Sequence, residues 1–236
     1  MVLALVWQLF ASSGVLSENL LPGPLAIFQT LIVDRALWLP HLLTTIISAC
    51  SGFFLALVLS LLLSVCMDRF QWLRRALYPW LMVSQMVPII FVYPLMLIWL
   101  GFGIAAKIAV VTLVCFFPLT VSLVDGFSRT PPDWQNLLVS FGASRWQQLW
   151  YLRLPAAMPA AFSGMRISAT YCVMGAVIGE WMGARSGLGV YMLRSYKSFN
   201  SERVFSAVFL VVFLSLLLVA LVRLAEQLFS YTERET

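Results

Sequence analysis

Apolar positions fill most of this chain in long runs, and the polar positions between them are few enough to mark the element boundaries. Leu42 to Met67 carries about 26 residues without a charge, which predicts one tilted helical crossing of a bilayer. Asp68 to Arg75 follows as a short basic turn with Arg69, Arg74 and Arg75. About 31 uncharged residues separate Arg75 from Lys107, with Pro79, Pro88 and Pro94 inside and Gly101-Phe102-Gly103 near the end. A proline-kinked span is expected there from about Leu81 to Leu100, before a glycine turn. Ile104 to Leu123 is the next expected span, kinked at Pro118, with Lys107 snorkelling at its outer end. Two more are expected from about Ala160 to Trp181 and from Val204 to Val222, joined by a loop with Arg185, Arg194, Lys197 and Arg203.

The N-terminal part is less regular. Met1 to Ala11 is apolar apart from Gln8, but its roughly eleven residues fall short of the about 17 to 25 that a crossing needs. It reads as a shortened or tilted first span, or as the result of a start placed too late; it lacks the basic flank of a signal peptide. After Leu21-Pro22-Gly23-Pro24, the amphipathic segment Leu25 to Leu39, with Asp34 and Arg35, is expected to lie in the interface plane. The expectation is six spans with the first segment and five without it.

Composition agrees with this pattern. Of 236 residues, 61% are hydrophobic and 11% charged, with a mean hydropathy of +0.92, which makes the chain an integral membrane protein. The alternating ten-residue segments of an outer-membrane barrel are absent, so the fold class is all-α, a polytopic membrane helical bundle forming a single transmembrane domain over residues 1–236. The net charge of +5 is assigned to topology and lipid headgroups, not to nucleic acid. Arg69, Arg74, Arg75, Arg129, Arg145 and Arg153 favour a cytoplasmic side for residues 133–159, and although Arg185, Arg194 and Lys197 vote against it, that orientation is the expected one. Cys50, Cys66, Cys115 and Cys172 sit in apolar runs without CxxC spacing and read as small buried hydrophobes. With His41 the single histidine, a histidine-based metal site or triad is not expected, and no metal is.

Residues 133–159 interrupt the apolar pattern. Asp133 after two prolines is a helix N-cap candidate, and Gly142 is placed to end a short helix in the left-handed conformation. Ser144 and Gln147 form an S-x-x-Q capping box for a second short helix that Pro155 is expected to terminate. Leu137, Leu138, Phe141, Leu149, Trp150 and Leu152 are interleaved with Gln135, Asn136, Arg145, Gln147, Gln148 and Arg153. This island is therefore amphipathic and lies on a membrane surface or against a partner.

Polar residues inside the spans are candidates for a solute pathway. Ser84, Gln85, Tyr93, Thr112 and Ser122 supply hydrogen bonds, and Pro88, Pro94 and Pro118 free backbone carbonyls. Arg166 and Glu180 are about 21 Å apart along one helix and cannot pair within it; Arg166 is expected to snorkel toward the island. Glu180 adjoins Gly175, Gly179 and Gly183 at spacing four, a stripe that serves either helix packing or a gate between two copies. Glu180 itself is the stronger functional candidate. Tyr78, Trp80 and Trp99 read as interface aromatics. There is no GxxxxGK[ST] phosphate loop, no GxSxG elbow and no HExxH helix, so the chain is not an enzyme, and any ATP is bound by another chain. A secondary transporter acting alone is the rival reading, although no inverted repeat supports it.

At the island a family pattern emerges. Gly142, then nine residues, then Leu152-Arg153-Leu154-Pro155 with Pro159 beyond, resembles the cytoplasmic loop of permease subunits of ATP-binding-cassette importers. Leu21-Pro22-Gly23-Pro24, Gly101-Phe102-Gly103, Phe117-Pro118, Gly179-Glu180-Trp181 and Gly187-Leu188-Gly189 extend the likeness over nearly the whole chain. They point to the branch serving nitrate, taurine, alkanesulfonates and the pyrimidine precursor of thiamine. Val83-Ser84-Gln85, Cys115-Phe116-Phe117-Pro118 and Gly189-Val190-Tyr191-Met192 look most like the thiamine-pyrimidine permeases, with sulfonate, taurine or nitrate as the alternative cargo.

The resemblance implies a type I importer permease in the plasma (inner) membrane. It implies a homodimeric pore, two ATPase subunits carrying ATP and Mg, no cofactor on this chain, and a periplasmic or lipid-anchored solute-binding protein. It also implies a coupling helix formed by Asn136, Leu137, Leu138, Gly142, Ala143, Ser144, Leu152, Leu154 and Pro155. Where the family has Glu-Ala-Ala, this chain has Asn136-Leu137-Leu138, so a salt bridge from that Glu is missing.

Overall fold

The computed structural model describes residues 6–9, 11 and 20–232, and among them it contains helices and no strand. In chain order they are α1 (Pro24–Val33), α2 (Arg35–Arg69), α3 (Gln71–Ser84), α4 (Ile89–Leu100), α5 (Ile104–Ser128) and α6 (Pro132–Ser140). Then come α7 (Arg145–Gln148), a π-helical turn (Leu149–Arg153), α8 (Leu154–Trp181), α9 (Leu188–Lys197) and α10 (Ser201–Thr232). Four stretches are long and apolar enough to cross a membrane: Arg35–Arg69, Ile104–Ser128, Arg145–Trp181 and Ser201–Phe229. A fifth is counted if α3 and α4, bent by 106° at their junction, make one crossing. The expected first span falls largely outside the described residues.

Small residues explain why α2, α5 and α8 form the centre. The buried face of α2 ends in Met67 and is otherwise made of the small residues Thr45, Ser48, Ala49, Gly52, Ala56, Ser60 and Ser64, which recur along one side of the helix and let backbones approach closely. A Cβ on Gly52 would stand 2.6 Å from Val111 of α5, and one on Gly164 of α8 would stand 2.7 Å from Ser122 of α5. Hydroxyls on this face return their hydrogen bonds to backbone, as in Ser60 to Ala56 O at 2.5 Å. Across helices, Ser64 donates to Thr120 O (3.3 Å), Thr112 to Gly52 O (3.2 Å) and Ser168 to Cys115 O (3.1 Å). Thr112 and Ser122 thus serve helix packing. Helix α10 covers one side of this centre, while α9 closes one end.

Several expected boundaries move. Leu25 to Leu39 is not one interfacial segment: α1 ends at Val33, Asp34 is the junction, and α2 already runs from Arg35 through Pro40. The span expected over Leu81–Leu100 is broken and not merely kinked. Pro88 bars Val87 from helical backbone and has no N–H to give, so the chain turns sharply over Met86-Val87-Pro88. Pro155 does not terminate the second island helix. It sits in the first turn of α8, where its missing N–H costs nothing, and the wider π turn before it carries the helix through without a stop. The cysteines also divide: Cys115 and Cys172 are buried, whereas Cys50 and Cys66 are exposed on the outside of α2.

Candidate functional site

Three regions carry the polar chemistry of the bundle. The first is the corner between α3 and α4. A cavity of about 440 Å³ opens there, lined by Ser84, Gln85, Val87, Pro88, Ile89 and Val92 of the corner. Leu113, Val114, Phe117 and Pro118 of α5 and Tyr171 and Met174 of α8 complete it. Ser84, Gln85 and Pro88 are brought together as expected. Ser84 already donates to Leu81 O at 2.7 Å, whereas the Gln85 amide and the Tyr171 phenol have no hydrogen-bond partner among the described residues. No charged residue lines the cavity. It can therefore hold a flat, apolar-faced solute and offer it amide and phenol groups, but it cannot neutralise an ion.

The other expected pathway residues lie elsewhere. Tyr93 of α4 is buried against Gly179, whose Cβ would stand 2.9 Å from its ring. Gly175 faces Val114 of α5, and Gly183 lies beyond the end of α8 at φ +123° beside Phe102. The three glycines thus form no single helical stripe, and each receives a neighbour from this same chain. Glu180 is 1% exposed and is not at the mouth of the cavity.

Glu180 belongs to the second region, at the end of the bundle opposite the island. Its Oε1 accepts from Thr45 of α2 at 2.8 Å and lies 3.8 Å from Lys107 Nζ of α5, while its Oε2 accepts from the Gly189 amide at 2.8 Å. Thr45 Oγ1 accepts in turn from the Leu188 amide at 2.9 Å, and His41 Nδ1 accepts from the Gly187 amide at 3.0 Å. Lys107 donates to Ser186 O at 2.5 Å. Three consecutive amides at the start of α9, which no residue of α9 can satisfy, are each capped by a side chain of a spanning helix. Lys107, expected to snorkel, is 4% exposed, because Glu180 and Ser186 give it partners inside the bundle. Gly187 has φ +133°, and a Cβ there would fall on the Glu180 carboxylate, which accounts for the Gly-Leu-Gly sequence. Thr45 and Ser186 went unnoticed in the sequence, and Lys107 and His41 were read there without these partners; a lone lysine and a lone glutamate in apolar runs were the available signal.

The third region is the island. Pro131 occupies the N-cap of α6 and Pro132 its first turn, so Asp133 does not cap by side chain and instead places its charge near the positive end of the helix. Gly142 takes φ +75°, and the bonds Gly142 N to Val139 O (2.9 Å) and Ala143 N to Leu138 O (2.9 Å) make the glycine-terminated helix end the sequence predicted. Ser144 and Gln147 make both bonds of the capping box, at 2.7 and 3.3 Å. The island is tied to the spans by Arg153, which pairs with Asp68 at the end of α2 and donates to Gln135 of α6 at 3.3 Å. Asn136, Leu137, Gly142 and Ser144 are exposed, Leu138, Ala143, Leu152, Leu154 and Pro155 are half-buried, and no residue of α6 or α7 is buried. Trp134, Phe141, Trp146, Trp150 and Tyr151 are each more than half exposed. Nearby, Arg166 is ion-paired with Glu226 of α10 and accepts no role in the cavity.

Residues 52–231 match the family described as binding-protein-dependent transport system inner membrane component. The formylaminopyrimidine transport permease protein ThiX of Halalkalibacterium halodurans is 33% identical over 229 residues, covering 97% of this chain and 91% of that protein. A probable ABC transporter permease protein of Haemophilus influenzae is 34% identical over 217 residues, covering 92% and 89%. The permease chain in an inward-facing structure of the MetNI methionine ABC transporter superposes with a TM-score of 0.65 at 18% identity, covering 80% of this chain and 97% of that one, which shows a shared fold. The chain is thus a multi-pass inner-membrane protein and belongs to the binding-protein-dependent transport system inner membrane component family, as a permease subunit of an ABC importer in the nitrate, taurine and sulfonate branch and not an enzyme.

Proposed function

We propose that this permease carries an uncharged heteroaromatic ring of the pyrimidine class, a precursor of thiamine, across the plasma membrane. The observation that carries this reading is the cavity at the α3–α4 corner, where Gln85 and Tyr171 offer unsatisfied polar groups beside Phe117 and no cation is present. A sulfonate or nitrate passing there would lose its hydration without gaining a countercharge. The likeness to a formylaminopyrimidine permease supports the same cargo.

As an ABC importer permease, the chain works with ATPase and solute-binding partners. In the proposed assembly two copies form the pore, and two ATPase subunits with ATP and Mg seat the island 133–159 from the cytoplasm. The exposed aromatics of α6, α7 and the π turn are the contact surface, and Arg153 passes movement of the island to α2 through Asp68. Uptake of labelled hydroxymethylpyrimidine and of taurine, in cells with and without this chain, tests the cargo. Pyrimidine uptake is expected to depend on the chain and taurine uptake not to; equal pyrimidine uptake in both cells rejects the reading.

A further inference from the structure

The break between α3 and α4 lies part-way through the bundle. The residues that meet it across the cavity, Phe117 and Pro118 of α5 and Tyr171 and Met174 of α8, stand well inside those two spanning helices and not at their ends. Among the described residues the carbonyls of Gln85, Met86 and Val87 accept from no backbone N–H. Inside a bilayer, backbone left open in this way is tolerated only where protein or a water-filled cavity faces it. Met86 is 78% and Val87 52% exposed, so this chain does not bury the break, and the corner faces an aqueous pathway or a second copy but not lipid.

The polar side chains on the cavity wall are Ser84, Gln85 and Tyr171. Ser84 donates its proton to Leu81 O at 2.7 Å and is left as an acceptor. The Tyr171 phenol donates and accepts at a single atom. Only the Gln85 carboxamide sets a donor and an acceptor side by side in one plane. Its place in the turn is held by backbone bonds on both sides, from Met86 N to Val83 O at 3.0 Å and from Val87 N to Ser84 O at 3.3 Å. Such a carboxamide pairs through two parallel hydrogen bonds with a ring edge on which an amino group stands beside a ring nitrogen, as glutamine does with adenine. Nitrate and sulfonate carry acceptors only and would leave the Gln85 C=O without a donor.

We infer that Gln85 is the specificity-determining residue of this cavity, taking an aminopyrimidine by the edge that its amino group forms with the adjacent ring nitrogen. This rests on the reading of the cavity as the cargo's site given above. The test measures binding to the assembled transporter in nanodiscs, without the solute-binding protein, by ligand-observed NMR. The probes are hydroxymethylpyrimidine, which bears that amino group, and the same ring with hydrogen in its place. The wild type is expected to hold the aminated ring at least about tenfold more tightly. Gln85 is exposed, so Gln85→Leu removes both bonds without disturbing the core. That variant should bind the two rings alike and still bind the deaminated one, which reports an intact cavity. An equal preference in the wild type and Gln85→Leu overturns the assignment, and so does a wild type without any preference. A wild type that holds neither ring removes the cavity as the cargo's site. Pyrimidine uptake that still depends on the chain would then show that the cargo stands while the role of Gln85 falls.

Discussion

Glu180 and Lys107 bury opposite charges 3.8 Å apart, one at the end of α8 and the other in the first turn of α5. Taking both out of water is expensive, and the cost is offset by hydrogen bonds from Thr45 and the Gly189 amide to the carboxylate and from the ammonium to Ser186 O. Removing either partner should therefore cost more than an exposed pair would. Glu180→Ala and Lys107→Ala are each expected to destabilise by about 3 to 5 kcal/mol, and the double variant by clearly less than their sum. Thermal unfolding in detergent around a double-mutant cycle checks this; additive losses would show that the two charges are not coupled.

The Gly-Leu-Gly start of α9 separates steric demand from backbone demand. At Gly187 a Cβ meets the Glu180 carboxylate and φ is +133°, whereas Gly101 has φ +74° and nothing within 4 Å. Gly101→Ala should cost on the order of 1 kcal/mol, from conformation alone. Gly187→Ala should cost several times as much, since it also displaces the cap of α9. Comparing the two unfolding midpoints decides it, and similar losses would mean that Glu180 can move aside.

Much of this fold was readable as runs and punctuation. Leu42 to Met67 gave α2, and Gly142 with Ser144 and Gln147 gave both turns of the island, because these signals are local and their hydrogen bonds close within six residues. What was not readable depends on distant partners. Lys107 looked like a snorkelling side chain because its acceptor, Ser186, is 79 residues away. Tyr93 looked like a pathway residue because only the folded chain brings Gly179 under its ring. Pro155 misled for a different reason: a proline ends a helix only when its ring would clash with the preceding turn, and the π turn removes that clash.

Tyr191 of α9 is 6% exposed, and its hydroxyl has no hydrogen-bond partner among the described residues. Burial pushes its phenol up from 10 to about 12, with Asp34 adding to the rise and Arg203 opposing it. A pKa raised in the folded state means that stability is complete below pH 10 and is lost as pH rises through 12. Tyr191→Phe removes an unsatisfied polar group, so at neutral pH it should be neutral or stabilising by about 1 kcal/mol. It should also flatten the loss of stability between pH 10 and 12. Unfolding midpoints from pH 7 upward test both effects; a destabilised Tyr191→Phe would reveal a partner for the hydroxyl.

At Gly142 the backbone and not the packing is at stake, for φ is +75° and a Cβ would meet nothing within 4 Å. Among other residues asparagine adopts this conformation most readily, and a β-branched residue hardly at all. Gly142→Asn should therefore keep the turn between α6 and α7, and most of the uptake, whereas Gly142→Val should turn the island away from its place beside Asp68 and Arg153. If the island is the lever that the ATPases push, Gly142→Val loses uptake while its amount in the membrane stays at the wild-type level. Measured together, transport and membrane abundance separate this from misfolding. Wild-type uptake by Gly142→Val would show that the lever does not need this turn.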